Sequence, residues 1–565
     1  MTPGLPSTSS LPRQLSSTFD SILSSLSSSI ESLTSRTFRA SRLSSSIEGL
    51  PGTAITETSD FEAVQEYLDC MNGRGEWIYD PSGSELAKEG KGLTVHKMDS
   101  KYANCDKRFY KERSHNQEEE EEGEWNIRES LKYRFKPSST CSLLLPVHLR
   151  PERSQDSLIP SRTRFCQLLA HKSVLLLGST SQYSLHDLIL DFTTTEPTSC
   201  YGDLYCKEHA LCGGILGEKD AEEVESIENW EVDQRVYHRL PLPPAHSSSS
   251  QHPYPSTQSS KKGIYPSPTY STLLRYRRTD GLKPFTYQTL PNYQHPFSGL
   301  LEKNQQWLAD SRRSDLVILE KPPIALPLKN HNATFDEWFY RYLEDKGVEM
   351  EDKVERLLEA VGEVTERVWV PELLEALRSI RSEPSPLDQL VVYRSGWRIQ
   401  PDCASSSRSD SSWDSPGDGN LPPHSSQPSL SELIYRSSSQ TLQPLHVIYH
   451  NLQLVFQSHL SRTLILPRFG IISLDLETPL SIWRTGLLGS STAGKEQRGL
   501  KSAVGGDCER YCFPSPGMAI EGAFIGGLER LMEVAWAGVR GKEKEWVGEE
   551  FRNLRMRMKD REERA

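Results

Sequence analysis

The densest group of reactive side chains is a run of hydroxyls in the stretch "HKSVLLLGSTSQYSLHDLILDF" (171–192). A short apolar run ends at Gly178, Ser179, Thr180 and Ser181 follow, and Leu185, Leu188 and Ile189 then fall at helical spacing. A hydroxyl attacks a carbonyl only when a base removes its proton and N–H donors hold the oxyanion. A strand-to-helix turn supplies backbone N–H groups and the positive end of the helix dipole. Ser and Thr are equally the ordinary N-caps of helices, so capping and catalysis both stand as readings of this turn. A phosphate loop does not, because the turn has one glycine and no following Lys.

Partners for those hydroxyls lie far along the chain. His186 is one to two helical turns past Thr180, and His446 and His450 share a later helix; each is either a base or a packed side chain. "GGDCERYCFPSPG" (505–517) brings Asp507 and Arg510 close together, as an ion pair or as part of a site. Arg394, in "VVYRSGW", suits contact with a sugar or a carboxylate, or an internal ion pair. Of the ten cysteines, Cys200, Cys206 and Cys212 flank His209, but structural zinc sites use tighter paired spacing. Disulfides or buried thiols suit these cysteines better, and no metal or other cofactor is assigned. Asn332-Ala-Thr334 is a glycosylation sequon.

The elements that must position these residues alternate. Buried strands are expected at 173–178, 314–323, 387–397 and 468–476, and helices at 334–364, 446–460 and 522–539. That alternation predicts an α/β fold with a mainly parallel sheet and helices on both faces. Ligands then bind beyond the carboxyl ends of the strands, where the 178–181 turn falls. Residues 1–58 read as a disordered Ser-rich tail, with an amphipathic helix through Phe19, Ile22, Leu23, Leu26, Ile30 and Leu33 as the alternative. Residues 60–145 form a Cys- and aromatic-bearing N-terminal subdomain, and 160–545 the main domain, interrupted by low-complexity inserts at about 241–272 and 402–430. A net charge of -12 leaves no broad basic face for nucleic acid. No run of 18 apolar residues marks a membrane span, and no compact apolar leader marks a signal peptide.

Six blocks taken in order resemble the PC-esterase group, the trichome-birefringence-like and Cas1p-like polysaccharide O-acetyltransferases with an SGNH/GDSL-type hydrolase fold. They are "CMNGRGEWIYD" (70–80), "SLKYRFKPSSTCSLLLP" (130–146), "VLLLGSTSQ", "SDLVILEKPP", "VVYRSGW" and "GGDCERYCFPSPG". The resemblance implies acetyl transfer or ester hydrolysis on a polysaccharide or a glycoprotein glycan, with an unidentified acetyl donor, in the Golgi or secretory pathway. It places the family's catalytic positions at Ser179, Thr180, Asp507 and Arg510, and its binding positions at Gly178, Glu320 and Arg394. The departures are chemical. Ser179 and Thr180 stand where the family has Asp and the Ser nucleophile, and Arg510 stands where it has the His base. Arg cannot accept a proton near neutral pH. Glu320 and Pro322 replace the Asn and Gly that help bind the oxyanion; a carboxylate repels an oxyanion and Pro has no N–H. The expectation is a degenerate relative that binds carbohydrate or protein, with Trp77, Tyr79, Trp338 and Trp397 available to stack on sugars. Two alternatives remain: an active O-acyltransferase or esterase with a substituted base, and a scaffold acting through its Ser/Pro-rich inserts. On the family reading, residues 178–181 and 507–510 meet at one edge of the sheet.

Overall fold

The computed structural model describes residues 13–41, 53–55, 57–79, 133–150, 160–170, 172–193, 208–212, 272–284, 290–328, 347–381, 389–399, 430–435, 443–476 and 519–536. The strands are β1 (Gly75–Tyr79), β2 (Tyr133–Pro137), β3 (Ser173–Gly178), β4 (Glu208–Leu211), β5 (Thr272–Arg278), β6 (Leu290–Gln294), β7 (Leu301–Asn304), β8 (Leu316–Leu319), β9 (Leu390–Arg394) and β10 (Ile472–Leu474). The helices are α1 (Arg13–Ser41), α2 (Thr58–Gly73), α3 (Arg162–Leu169), α4 (Thr180–Thr193), α5 (Leu308–Ser311), α6 (Met350–Val364), α7 (Val370–Arg381), α8 (Leu430–Ile434), α9 (Leu445–Leu460) and α10 (519–536).

The central sheet has the order β10-β9-β8-β3-β5-β4. Its first five strands are parallel, and β4 runs antiparallel to β5 at the edge. The apolar runs Val174–Leu177 and Leu316–Leu319 are buried throughout, as strands covered on both faces must be. Alternate residues feed two cores. Val174, Leu176, Ile318 and Val392 pack with α2, α3, α4 and α10, while Leu175, Leu177, Leu319 and Val391 pack with α1, α6, α7 and α9. The chain leaves β3 toward β5 and then crosses back to build β8, β9 and β10 on the other side. That reversal makes the carboxyl end of β3 a switch point, the place where such sheets form crevices.

Several expectations change. The Ser-rich segment read as a disordered tail forms α1 over Arg13–Ser41. Its apolar stripe is enough to seat it: Leu26 and Ile30 are buried, and Phe19 meets the Phe456 ring at 4.9 Å. Ile22 fits over Gly362, where an added Cβ would lie 3.0 Å from its Cγ2. The described parts of 60–145 share the main core through Phe61, Val64, Leu68, Cys141 and Leu145, rather than enclosing a core of their own. The preference for disulfides over zinc holds for four cysteines: Cys70–Cys141 and Cys166–Cys212 are bonded, so Cys212 is not a zinc thiolate. The helix expected over 334–364 is described from 350, and it continues past 364 to Arg381. A wide turn at Thr365–Trp369, closed by Val370 N–H to Thr365 O, absorbs the missing N–H of Pro371. β5 was hidden because Arg275, Arg277 and Arg278 break its apolar pattern; Asp310 neutralises the first two, at 3.6 and 2.6 Å. No helix among the described residues is long and apolar enough to cross a membrane.

The edge strand β10 is capped by a side chain. Gln65 of α2 accepts from Ser473 N at 2.7 Å and donates to Ser473 O at 2.9 Å, filling the outward ladder positions of that residue. Ile30→Ala tests whether α1 is integral: it should cost about 2–5 kcal/mol in urea unfolding, because Ile30 is fully buried. An unattached tail would give no change.

Candidate functional site

β3, β8 and β9 are adjacent and in register, with Leu177 opposite Leu319 and Leu319 opposite Tyr393. The next residue on each strand is therefore brought level: Gly178, Glu320 and Arg394. All three are buried at the carboxyl edge, on the face covered by α4. Gly178 has a φ of 153°, and a Cβ there would lie 2.7 Å from Glu320 Oε2. Glycine is required both by that backbone and by the carboxylate beside it.

Donors from the turn close on Glu320. Ser179 N–H donates to Oε2 at 3.2 Å, and Ser179 Oγ lies 3.0 Å from the same oxygen. Ser181 Oγ donates to Oε1 at 2.7 Å. Arg394 Nη2 pairs with Oε2 at 2.8 Å and donates to Ser181 Oγ at 2.6 Å. The rest of the guanidinium is held as firmly: Nε donates to Gln182 Oε1 at 2.9 Å, Nη1 to Ser395 O at 3.0 Å, and the Trp397 ring lies 4.6 Å away. Burial pushes the Arg394 guanidinium below its ordinary value, and the Glu320 charge opposes that shift. Tyr276 donates to Ser179 O at 2.8 Å and fixes the turn from β5; burial first, then nearby carboxylates, push its phenol well up despite Arg278.

The chemistry this permits differs from the sequence expectation. Glu320 and Arg394, which the resemblance puts at binding positions, bind each other, the ion-pair alternative for Arg394. The Ser179 N–H, which could support an oxyanion, is spent on a carboxylate. Ser179 caps the turn, accepting from Ser181 N at 3.2 Å. Thr180 begins α4 half-buried, and no protein group among the described residues bonds its hydroxyl. His186 is fully buried, pairs through Nδ1 with Asp187 at 3.2 Å, and stacks among Tyr183, His209 and Tyr276. His450 Nε2–H donates to Trp397 O at 3.4 Å. No imidazole among the described residues bonds the hydroxyls at 179–181. Trp397 is buried beneath Arg394 and offers no platform for a sugar. Asp507, Arg510, Trp338 and the side chains of Trp77 and Tyr79 lie outside the described residues. Pro322 presents its carbonyl to Trp369 Nε1 at 3.1 Å.

Sequence reasoning named Ser181 only as a candidate hydroxyl or cap, and it missed Gln182 and Tyr276. The i, i+2 spacing of Ser179 and Ser181 was a usable signal, since both reach back to one acceptor; Tyr276 was concealed with β5. The loops that follow β8 and β9 are clamped from α9. Gln453 accepts from Ile324 N at 2.9 Å and donates to Ile324 O at 2.8 Å, and Asn451 does the same to Ile399 at 2.9 and 3.0 Å. On the opposite face of the same edge, Glu372 accepts from Lys321 at 2.7 Å and from His295 at 3.2 Å. Those partners hold its carboxyl far below the ordinary range, against the upward push of burial. His295 Nδ1 accepts two backbone N–H groups, from Phe297 and Ser298, so its proton sits on Nε2. No group of three or more His, Cys, Asp or Glu among the described residues is arranged to hold a metal. Compared with known proteins, the chain matches no family model and no curated protein.

Glu320→Gln and Arg394→Met should each destabilise the fold by about 3–5 kcal/mol, because each strands a buried partner. The double variant should recover part of that loss, giving a coupling energy above about 1 kcal/mol in a double-mutant cycle. Additive losses would show that the pair is not coupled. Burial pushes the His450 imidazole down to about 4. A histidine kept neutral by the fold contributes stability above its unfolded value, and that contribution is lost as pH falls from about 6.5 toward 4. His450→Gln should therefore flatten the loss of melting temperature over that window, and an unchanged slope would exclude the contribution.

Proposed function

We propose that this chain is an SGNH-hydrolase-like relative of the PC-esterase glycan O-acetyltransferases and esterases, that it no longer transfers acyl groups, and that it acts by binding a carbohydrate or a protein. The resemblance of six ordered blocks supports the family. A strand, a turn of small residues and a helix at the carboxyl edge of a parallel sheet are what that family would need. The loss of activity is carried by one observation: Glu320 Oε2 lies 3.2 Å from Ser179 N and 2.8 Å from Arg394 Nη2, in the place an oxyanion would need. An acyl group meeting this turn meets negative charge where positive charge is required. Two buried disulfides suit maturation in the oxidising secretory pathway, in line with a Golgi location.

A second reading keeps the enzyme alive. Ser179 Oγ lies 3.0 Å from a Glu320 oxygen, so a Ser–Glu nucleophile and base can be drawn. The same oxygen already meets Arg394 Nη2 at 2.8 Å and accepts from Ser179 N–H at 3.2 Å, so its lone pairs are committed before any proton is taken.

Purified full-length chain should hydrolyse a chromogenic acetate ester no faster than its Ser179→Ala and Thr180→Ala variants. It should retain members of a panel of acetylated and unacetylated oligosaccharides, or a protein partner, without deacetylating them. Turnover that falls at least about 100-fold in either variant would establish the second reading and refute the first.

A further inference from the structure

The turn is built to receive a carboxylate, and it is already full. Ser179 N–H, Ser179 Oγ and Arg394 Nη2 converge on Glu320 Oε2 at 3.2, 3.0 and 2.8 Å, and Ser181 Oγ meets Oε1 at 2.7 Å. None of these donors belongs to the segment that carries Glu320. Ser179 and Ser181 are fixed by the start of α4 and by Tyr276, and Arg394 by Gln182, Ser395 O and the Trp397 ring. Gly178 leaves bare backbone where the carboxylate lies. A helix start favours anions in general; the fully buried guanidinium of Arg394, aimed at the same point, adds a fixed counter-charge for one.

We propose that residues 178–181 and Arg394 form a carboxylate-binding site whose ligand in the intact chain is Glu320. A small free carboxylate takes that place once the side chain is cut back. While Glu320 stands, the site is closed to outside anions and acyl groups. This goes beyond the proposed function, because it needs only the donor geometry and no resemblance to any family.

The test is chemical rescue of full-length Glu320→Ala, followed by thermal unfolding. Truncation leaves the Arg394 charge without its partner and opens a space of carboxylate size. The variant should melt well below the unmodified chain. Sodium formate or acetate should raise its melting temperature by several degrees, in proportion to the logarithm of concentration. Sodium chloride at equal ionic strength should not. Glu320→Gln, whose carboxamide still fills the space, should be destabilised but gain no formate response, and Arg394→Met placed on Glu320→Ala should abolish it. If Glu320→Ala does not fold alone, refolding in formate should recover structure that refolding in chloride does not. Equal behaviour in formate and chloride, recovery in neither, or a formate response as large in the unmodified chain overturns the proposal.

Discussion

A guanidinium fully removed from water at the carboxyl edge of the sheet constrains everything near it. Arg394 cannot lose its proton, so it must be met by a carboxylate and by hydrogen-bond acceptors at every nitrogen. Glu320 supplies the charge, and Gln182, Ser181 and Ser395 supply the remaining acceptors. From that requirement follow the glycine at 178, which makes room for the carboxylate, and the two serines that fill its other lone pairs. The pair fastens β3, β8 and β9 together at their carboxyl ends. Buried ion pairs contribute little net stability over apolar residues, and their best-attested use is to specify one arrangement. Here that arrangement is a closed turn.

The same logic reaches outward from the edge. The loops after β8 and β9 carry Glu320 and Trp397, and each is gripped at both N–H and C=O of one residue by an amide of α9. Gln65 grips Ser473 on β10 in the same way from α2, which the Cys70–Cys141 disulfide ties to the segment after β2. Three side-chain amides thus complete backbone pairing that strands would otherwise supply. Each leaves its residue with satisfied polar groups, Ile324 and Ser473 in a buried setting where an orphan would be costly. The polar network on the opposite face, centred on Glu372, braces the loop after β8 through Lys321.

The alternation of strand and helix was legible because the strands buried on both faces are unbroken apolar runs. Val174–Leu177, Leu316–Leu319 and Leu390–Val392 announce themselves. β5 did not, because two of its three arginines pair with Asp310, more than 30 residues on, and no local pattern reveals such a partner. α1 was misread for a related reason: serines fill its solvent face and drown a narrow apolar stripe in composition. The continuation of α6 into α7 was obscured by Pro371, whose missing N–H is absorbed by a wide turn that sequence does not advertise. At the site, the sequence left the relations between the residues open. The serines stood as caps or nucleophiles, Arg394 as a ligand contact or an ion-pair partner, and Glu320 as a binding position implied by the resemblance. Only the register of three parallel strands shows that they satisfy one another.

The most direct measurement is the amide proton of Ser179, followed by NMR in the full-length chain with selectively labelled serine. If Glu320 holds that N–H, the resonance lies downfield, exchanges slowly with solvent, and moves upfield in Glu320→Gln. A rapidly exchanging Ser179 amide, indifferent to Glu320→Gln, would contradict the closed turn on which the functional reading depends.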